Sequence, residues 1–237
     1  AVTGVQTCAL PIMLLDSGAD LLIYGMGEKQ VVNIAKLLNE DVDIKDITNV
    51  LGTCYVSENT ENIKDYIEIA SYKEVCRDVH KYSQAFKIQY DEQDPIRGIG
   101  IVQKHANKYL VQNKPEMPLT REELDKVYGL PYQKNYHPSY EAMGGIPAIE
   151  EVQFSLVSSR GCFGSCAFCA ITFHQGRIVQ SRSENSLIEE AIQITKLKDF
   201  KGYIHDVGGP TANFRRPACD KQLKVGACKD RQCLHPS

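Results

Sequence analysis

Three cysteines, Cys162, Cys166 and Cys169, stand at C-x3-C-x2-C spacing, with the aromatic Phe168 directly before the last. They follow an apolar run (Val152, Phe154, Leu156) and the polar turn Ser158-Ser159-Arg160-Gly161. Three thiolates this close can hold three irons of a four-iron, four-sulfur cubane; cysteine is the usual ligand and four the common count. Three local ligands leave one iron without a protein thiolate. Metal sites that must bind a small molecule keep such an open position. The spacing also admits a zinc site or a set of buried thiols. Two classes of function follow. One is an enzyme using the cluster; the other is a structural zinc-binding or scaffold module in which the cysteines only stabilise.

The loop needs elements to position it. Val152 to Leu156 reads as a strand entering it. Beyond it, Ser183 can cap a helix from Glu184, with Leu187, Ile188, Ala191, Ile192 and Thr195 on one face and Gly202 past its end. Tyr203 to Val207 reads as a second strand, closed by Gly208-Gly209-Pro210. Strand, loop, helix and strand make one βαβ unit, in which functional groups gather at the carboxyl ends of the strands. The cysteines follow the first strand and Gly208-Gly209 the second, which is the bottom-up argument for a shared site. A tight turn is the plain alternative for the glycines. His174, Arg177, His205 and Asp206 are the polar candidates near these ends. His205 and Asp206, adjacent in a strand, point to opposite faces.

With these words in view, the chain resembles a known family. C-x3-C-x-aromatic-C after a strand is similar to the radical S-adenosylmethionine signature. SSRGCFGSCAFCAITFHQGR, HDVGGPTANF and NYHPSYEAMGGIPAIEEVQFS resemble, more narrowly, the YgiQ-type radical SAM proteins. The resemblance runs from about Met13 to the end. It implies that Cys162, Cys166 and Cys169 carry a 4Fe–4S cluster and that S-adenosylmethionine binds the open iron through its amino and carboxylate groups. One-electron cleavage of its S–C5′ bond would yield a 5′-deoxyadenosyl radical that acts on an unknown substrate. It implies an electron donor of the reduced flavodoxin or ferredoxin type. Gly208 and Gly209 take the place of the family's Gly-Gly element at the amino end of S-adenosylmethionine, and Phe168 flanks the adenine side. The commoner element has Glu third, where this chain has Pro210, a departure that weakens the glycine assignment.

Cys219, Cys228 and Cys233 lie in a basic stretch (Arg215, Arg216, Lys221, Lys224, Lys229, Arg231). Three cysteines with polar spacers point to a possible second metal site, an auxiliary cluster or zinc. The basic residues read as a solvated face rather than a nucleic-acid patch.

Upstream, AVTGVQTCALPI (residues 1–12) resembles a translated sequencing adapter and is set aside, so Cys8 receives no role. Ala19 to Tyr24 reads as a buried parallel strand, Gly25-Met26-Gly27 as a turn, and Glu28 to Asn39 as a helix with Val31, Ala35 and Leu38 on its apolar face. This strand–turn–helix resembles the Rossmann-like region preceding many radical SAM barrels. Without a D-x-H-x-x-G motif no cobalamin is expected, and the G-x-G is a weak phosphate signal. Asn49 to Val56 reads as a strand with Cys54 buried in it. Ser71-x-x-Glu74 and Thr120-x-x-Glu123 are capping boxes. The first opens a helix with Val75, Val79, Tyr82 and Phe86 as its stripe and Cys76 and His80 on a second face. Tyr109 to Gln112 reads as a strand, and Tyr132 to Tyr140 as an aromatic loop.

The expected class is α/β, in four parts. Residues 1–12 are the adapter-like stretch; 13–57 are an incomplete Rossmann-like region; 58–150 are a helical connecting region; 151–237 start a partial (β/α) radical SAM barrel. The chain is expected to be a fragment, truncated at both ends, inactive alone, with substrate-selecting residues beyond Ser237. Its 43% hydrophobic residues in 237 suffice for a core, and a net charge of −3 gives no reason to expect nucleic acid or anionic membrane. No apolar run approaches the ~18 residues of a spanning helix. Nine cysteines, an odd count, with no secretion signal, point to a cytoplasmic protein with metal rather than disulfides.

Overall fold

The computed structural model describes residues 12–210, 212–229 and 233. Cys8 and residues 1–11 of the adapter-like stretch lie outside the described residues, as do Thr211, Arg231, Pro236 and Ser237. In chain order the elements are β1 (Leu21–Ile23), α1 (Glu28–Asn39), β2 (Thr53–Ser57), β3 (Tyr66–Ile69), α2 (Tyr72–Val75), α3 (Val79–Glu92), β4 (Gly100–His105), β5 (Lys108–Gln112), α4 (Arg121–Tyr128), α5 (Ile149–Val152), β6 (Ser155–Val157), β7 (Ser159–Arg160), α6 (Ile171–Gln175), β8 (Gln180–Ser181), α7 (Glu184–Ile194), β9 (Asp206–Gly208) and α8 (Gln222–Val225). The fold is mixed α/β. The chain divides into two units, one drawn from residues 1–118, 162–178 and 218–237, the other from 119–161 and 179–217. No helix among the described residues is long and apolar enough to cross a membrane.

The first unit is built on a five-stranded mixed sheet of order β1-β2-β5-β4-β3. Its strands come from both sides of residue 57. β1, expected to be parallel to its neighbour, pairs antiparallel with β2, and β2 and β4 pair antiparallel with β5; β3 and β4 are parallel. Leu14, Cys54 and Leu110 form one buried cluster; Ile69, Val75, Ala85 and Ile101 form another. The helix expected over Glu28–Asn39 is α1, but its packed residue is Gln30, while Val31 and Leu38 are exposed. Gly52, at φ +71°, lets the Gln30 amide lie against its backbone, where any Cβ would collide. That contact turns the apolar stripe of α1 outward.

Both capping boxes form. The helix opened by Ser71 ends at Val75, however, and a second starts at Val79. Asp78 accepts from the N–H groups of His80 and Lys81 and so restarts the helix. Cys76 therefore ends one helix while His80 begins the next, and the expected i, i+4 face does not exist.

The second unit contains the expected βαβ arrangement. β6 and β9 pair in parallel, Ser155 opposite Asp206 and Val157 opposite Gly208, with α7 packed on β6. Phe154, Leu156, Leu187 and Ile194 form its core. Val152 belongs to α5 and is exposed rather than part of the strand. Ile188 and Ile192 are also exposed, because α7 buries Leu187, Glu190 and Ile194 instead. Glu190 is the reason. It bridges Lys134 and the fully buried Arg182, whose guanidinium also reaches Ser186 and the carbonyl of Val157 and lies 4.2 Å above the Tyr128 ring.

Two outcomes are expected. Glu190→Ala leaves Arg182 charged and unpaired, and denaturant titration should show a loss of about 3–5 kcal/mol in this unit. In the first unit, burial pushes the Cys54 thiol well up, and burial with the neighbouring Cys54 raises the Tyr24 phenol, partly opposed by a hydrogen bond with Gln112. Folded values above unfolded ones mean stability that is present below the unfolded pKa values, about 8.5 and 10, and lost as pH rises above them. Melting temperature should fall with pH on the alkaline side, less steeply in Cys54→Ala.

Candidate functional site

The cysteine loop belongs to the first unit. Its backbone is fastened to the segment that follows it. Cys162 N–H donates to the carbonyl of Gly176 at 3.0 Å, the Thr172 hydroxyl donates to the carbonyl of Cys162 at 3.2 Å, and Cys169 N–H closes a turn on Cys166. Ser165, at φ +49°, reverses the chain between the second and first thiols. Gly164 donates its N–H to Cys162 Sγ at 3.4 Å. A Cβ on Gly164 would lie 3.3 Å from Cys162 Sγ, a tight contact, and 3.7 Å from Cys166 Sγ, an ordinary one, so the glycine keeps a side chain off Cys162 Sγ. Cys166 is exposed; Cys162 and Cys169 are half-buried.

Burial raises the Cys162 thiol, the Gly164 N–H opposes this, and Cys166 and Cys169 push it further up. Cys162 thus senses both neighbouring sulfurs, and thiolates placed this close in sequence repel one another. A cationic metal core relieves that repulsion, and thiolates are the donors an iron–sulfur cluster takes. Among the described residues no group of three or more His, Cys, Asp or Glu side chains, the three loop cysteines included, is placed to hold a metal ion. Donor type and sequence spacing, rather than the arrangement of the sulfurs, are what fit a cluster with three protein ligands.

A cleft of about 270 Å³ opens beside the loop, lined by Phe86, Tyr90, Ser165, Cys166, Thr172 and Phe173. The aromatic wall comes from α3, with ring centroids of Phe86 and Tyr90 5.8 and 5.9 Å from Phe173. Phe86 was legible only as part of a helix stripe. Nothing local in the sequence marks Tyr90 as a neighbour of Cys166.

The other candidates are divided between the two units. Phe168 is 87% exposed. Gly208 and Gly209 belong to the second unit. The carbonyl of Gly208 accepts from Ser158 N–H at 2.6 Å, and Gly209 N–H donates to Asn213 Oδ1 at 3.2 Å. A Cβ on Gly209 would strike Ser159 Oγ, so this glycine serves close backbone approach. His205 precedes β9, stacks on Tyr203 and donates its N–H to Phe154; its ring is a packing element. His174 and Asp206 are exposed, whereas Arg177 is buried. Cys233, also buried, accepts from the Cys228 N–H at 3.3 Å and lies 3.8 Å from Gln222 Nε2. Cys219 accepts the Gln222 N–H through its carbonyl, not its sulfur.

The family described as Radical SAM N-terminal matches residues 9–155, and the chain belongs to that family. The matched segment stops before the cysteines. The chain is also 64% identical over 225 residues to a UPF0313 protein of Clostridium perfringens strain 13, covering 94% of this chain and 34% of that protein. It is 58% identical over 224 residues to a UPF0313 protein of Clostridium botulinum strain ATCC 19397, covering 94% of this chain and 35% of that protein. Alignments of that extent necessarily run across Cys162 to Cys169. The chain spans about a third of the length of the curated relatives it matches. No solved structure matches it.

Gly164→Ala should leave the fold intact but crowd Cys162 Sγ. Iron bound after anaerobic incubation with iron and sulfide should drop about tenfold or more in affinity, with an unchanged melting temperature before loading.

Proposed function

We propose that this chain is part of a YgiQ-type radical S-adenosylmethionine protein whose Cys162, Cys166 and Cys169 hold a 4Fe–4S cluster through three irons. The observation that carries the reading is the set of three free thiols at C-x3-C-x2-C spacing on one loop, in a chain of the Radical SAM N-terminal family. Bound there, such a cluster supplies one electron for reductive cleavage of the S–C5′ bond of S-adenosylmethionine, releasing a 5′-deoxyadenosyl radical for an unidentified substrate.

This chain's residues hold and shield. Cys162, anchored through Gly176 and Thr172, is the fixed ligand. Exposed Cys166 and the turn to Cys169 supply the adaptable ones. Gly164 keeps a side chain off Cys162 Sγ and directs an N–H at it, which stabilises thiolate over thiol. The resemblance assigns Gly208 and Gly209 to the amino end of S-adenosylmethionine and Phe168 to the adenine side. In the same reading β6, α7 and β9 begin a partial (β/α) barrel, and β1 with α1 belongs to a Rossmann-like region. A flavodoxin- or ferredoxin-type donor in a reducing cytoplasm supplies the electron; the described cysteines are free thiols. We expect this chain to assemble the cluster without turning over substrate.

Anaerobic loading tests this. Wild-type chain should take up about four irons with matching sulfide, Cys166→Ala should lose most of both, and Cys219→Ala should retain them. Tightly held zinc in place of iron, lost equally in the two variants, would instead establish the structural zinc module.

A further inference from the structure

We propose that Arg177 is the counter-charge of the cysteine loop: a buried guanidinium that offsets the negative charge the loop gains on holding a cluster, and so raises the cluster's reduction potential. The inference rests on the iron–sulfur reading above.

The side chain of Arg177 is only 2% exposed, and arginine keeps its charge in proteins. Nη2 donates to the carbonyl of Cys228, but Nε and Nη1 are buried and have no hydrogen-bond partner. They expose so little surface that neither water nor a small anion can rest against them. No carboxylate among the described residues pairs with Arg177. Asp94, the buried acid of this unit, is taken by the N–H groups of Ile96, Arg97 and Ala227, with the Arg97 guanidinium 3.9 Å away. Asp91 is taken by Lys87, and Glu92 faces Lys229. The Tyr90 ring, 5.1 Å from the guanidinium, offers partial compensation, and its hydroxyl is itself buried without a partner. Arg182, equally buried in the other unit, has a carboxylate and several oxygens. The contrast marks Arg177 as a buried cation without a carboxylate partner among the described residues.

An uncompensated buried charge is costly, so an anion acting through space belongs within the same unit. The cysteine loop is that anion once loaded. Three thiolates around a four-iron core leave it net negative, and one-electron reduction adds a further charge. The loop is also mechanically next to Arg177: the carbonyl of Gly176, the preceding residue, accepts the Cys162 N–H, and Tyr90 shares a cleft wall with Cys166. A fixed cation in a low-dielectric interior favours the more negative, reduced state. Net charge and burial are among the factors that set such potentials. Arg177 is thus a positioning residue for charge and touches no reacting atom.

The test compares wild type, Arg177→Met and Arg177→Lys, loaded anaerobically and titrated with dithionite while the reduced cluster is followed by electron paramagnetic resonance. Arg177→Met should shift the midpoint potential down and lose iron to a chelator about tenfold faster, and Arg177→Lys should stay near wild type in both. Before loading, Arg177→Met should melt no lower than wild type, because it removes an uncompensated charge. An unchanged potential in Arg177→Met would overturn the inference. So would a lowered melting temperature before loading in both variants with no potential difference between them, which is the mark of packing alone. If wild type itself binds no iron, the iron–sulfur reading fails first and the inference falls with it.

Discussion

Two adjacent side chains at the end of α3 hold the cysteine-bearing unit together. Gln93 donates to the carbonyl of Phe173, 80 residues away, just beyond the cysteine loop. Asp94 accepts the Ala227 N–H at 2.7 Å, 133 residues away, and the N–H groups of Ile96 and Arg97 nearby. Gly226 must lack a side chain, since any Cβ would run into the Asp94 carboxylate. One corner of the N-terminal sheet unit thus gathers the segment after the cysteines and the segment containing Cys228. A buried carboxylate with three N–H donors is fully satisfied, and its removal would strand those donors. Because this corner is fixed, the loop of Cys162 to Cys169 has a rigid side, through Gly176 and Thr172, and a free side at Cys166.

That division suits a site that must accept a large inorganic group. In the proposed site one thiol is held while the others adjust, and Gly164 keeps a side chain off Cys162 Sγ. The cleft beside the loop is lined by Phe86, Lys87, Tyr90 and Phe173. The first three come from α3, so the region preceding the cysteines in sequence helps build their surroundings. Belonging to the Radical SAM N-terminal family is consistent with such a supporting role for residues 9–155.

What could be read in advance was local. α1 runs over Glu28–Asn39 as its pattern indicates, both capping boxes form, Ser183 caps α7, and the two strands around α7 are parallel. These depend on neighbours within a few residues or on a familiar unit. β3 and β4 were not legible, because their burial comes from pairing with each other, from β4 pairing with β5 and from helices packed on β4 rather than from strict alternation. The packed face of α1 was misread because one polar residue, Gln30, fills the space over Gly52. α3 was joined to α2 because the stripe of Val75, Val79 and Tyr82 continues across a break that Asp78 creates with backbone bonds. At the site, the cysteines were legible from spacing. Tyr90, Gln93, Asp94 and the isolation of Arg177 were not, since their partners lie tens of residues away and leave no local pattern.

The account's central claim is that three thiols leave one iron open to S-adenosylmethionine. The most direct measurement is the electron paramagnetic resonance spectrum of the loaded, dithionite-reduced chain before and after S-adenosylmethionine is added. A change in the g-values of the reduced cluster on addition, not reproduced by methionine-free 5′-deoxyadenosine, is the result this account requires. A cluster signal that the cofactor leaves untouched would mean that every iron is already ligated by protein, and the open-iron site would have to be given up.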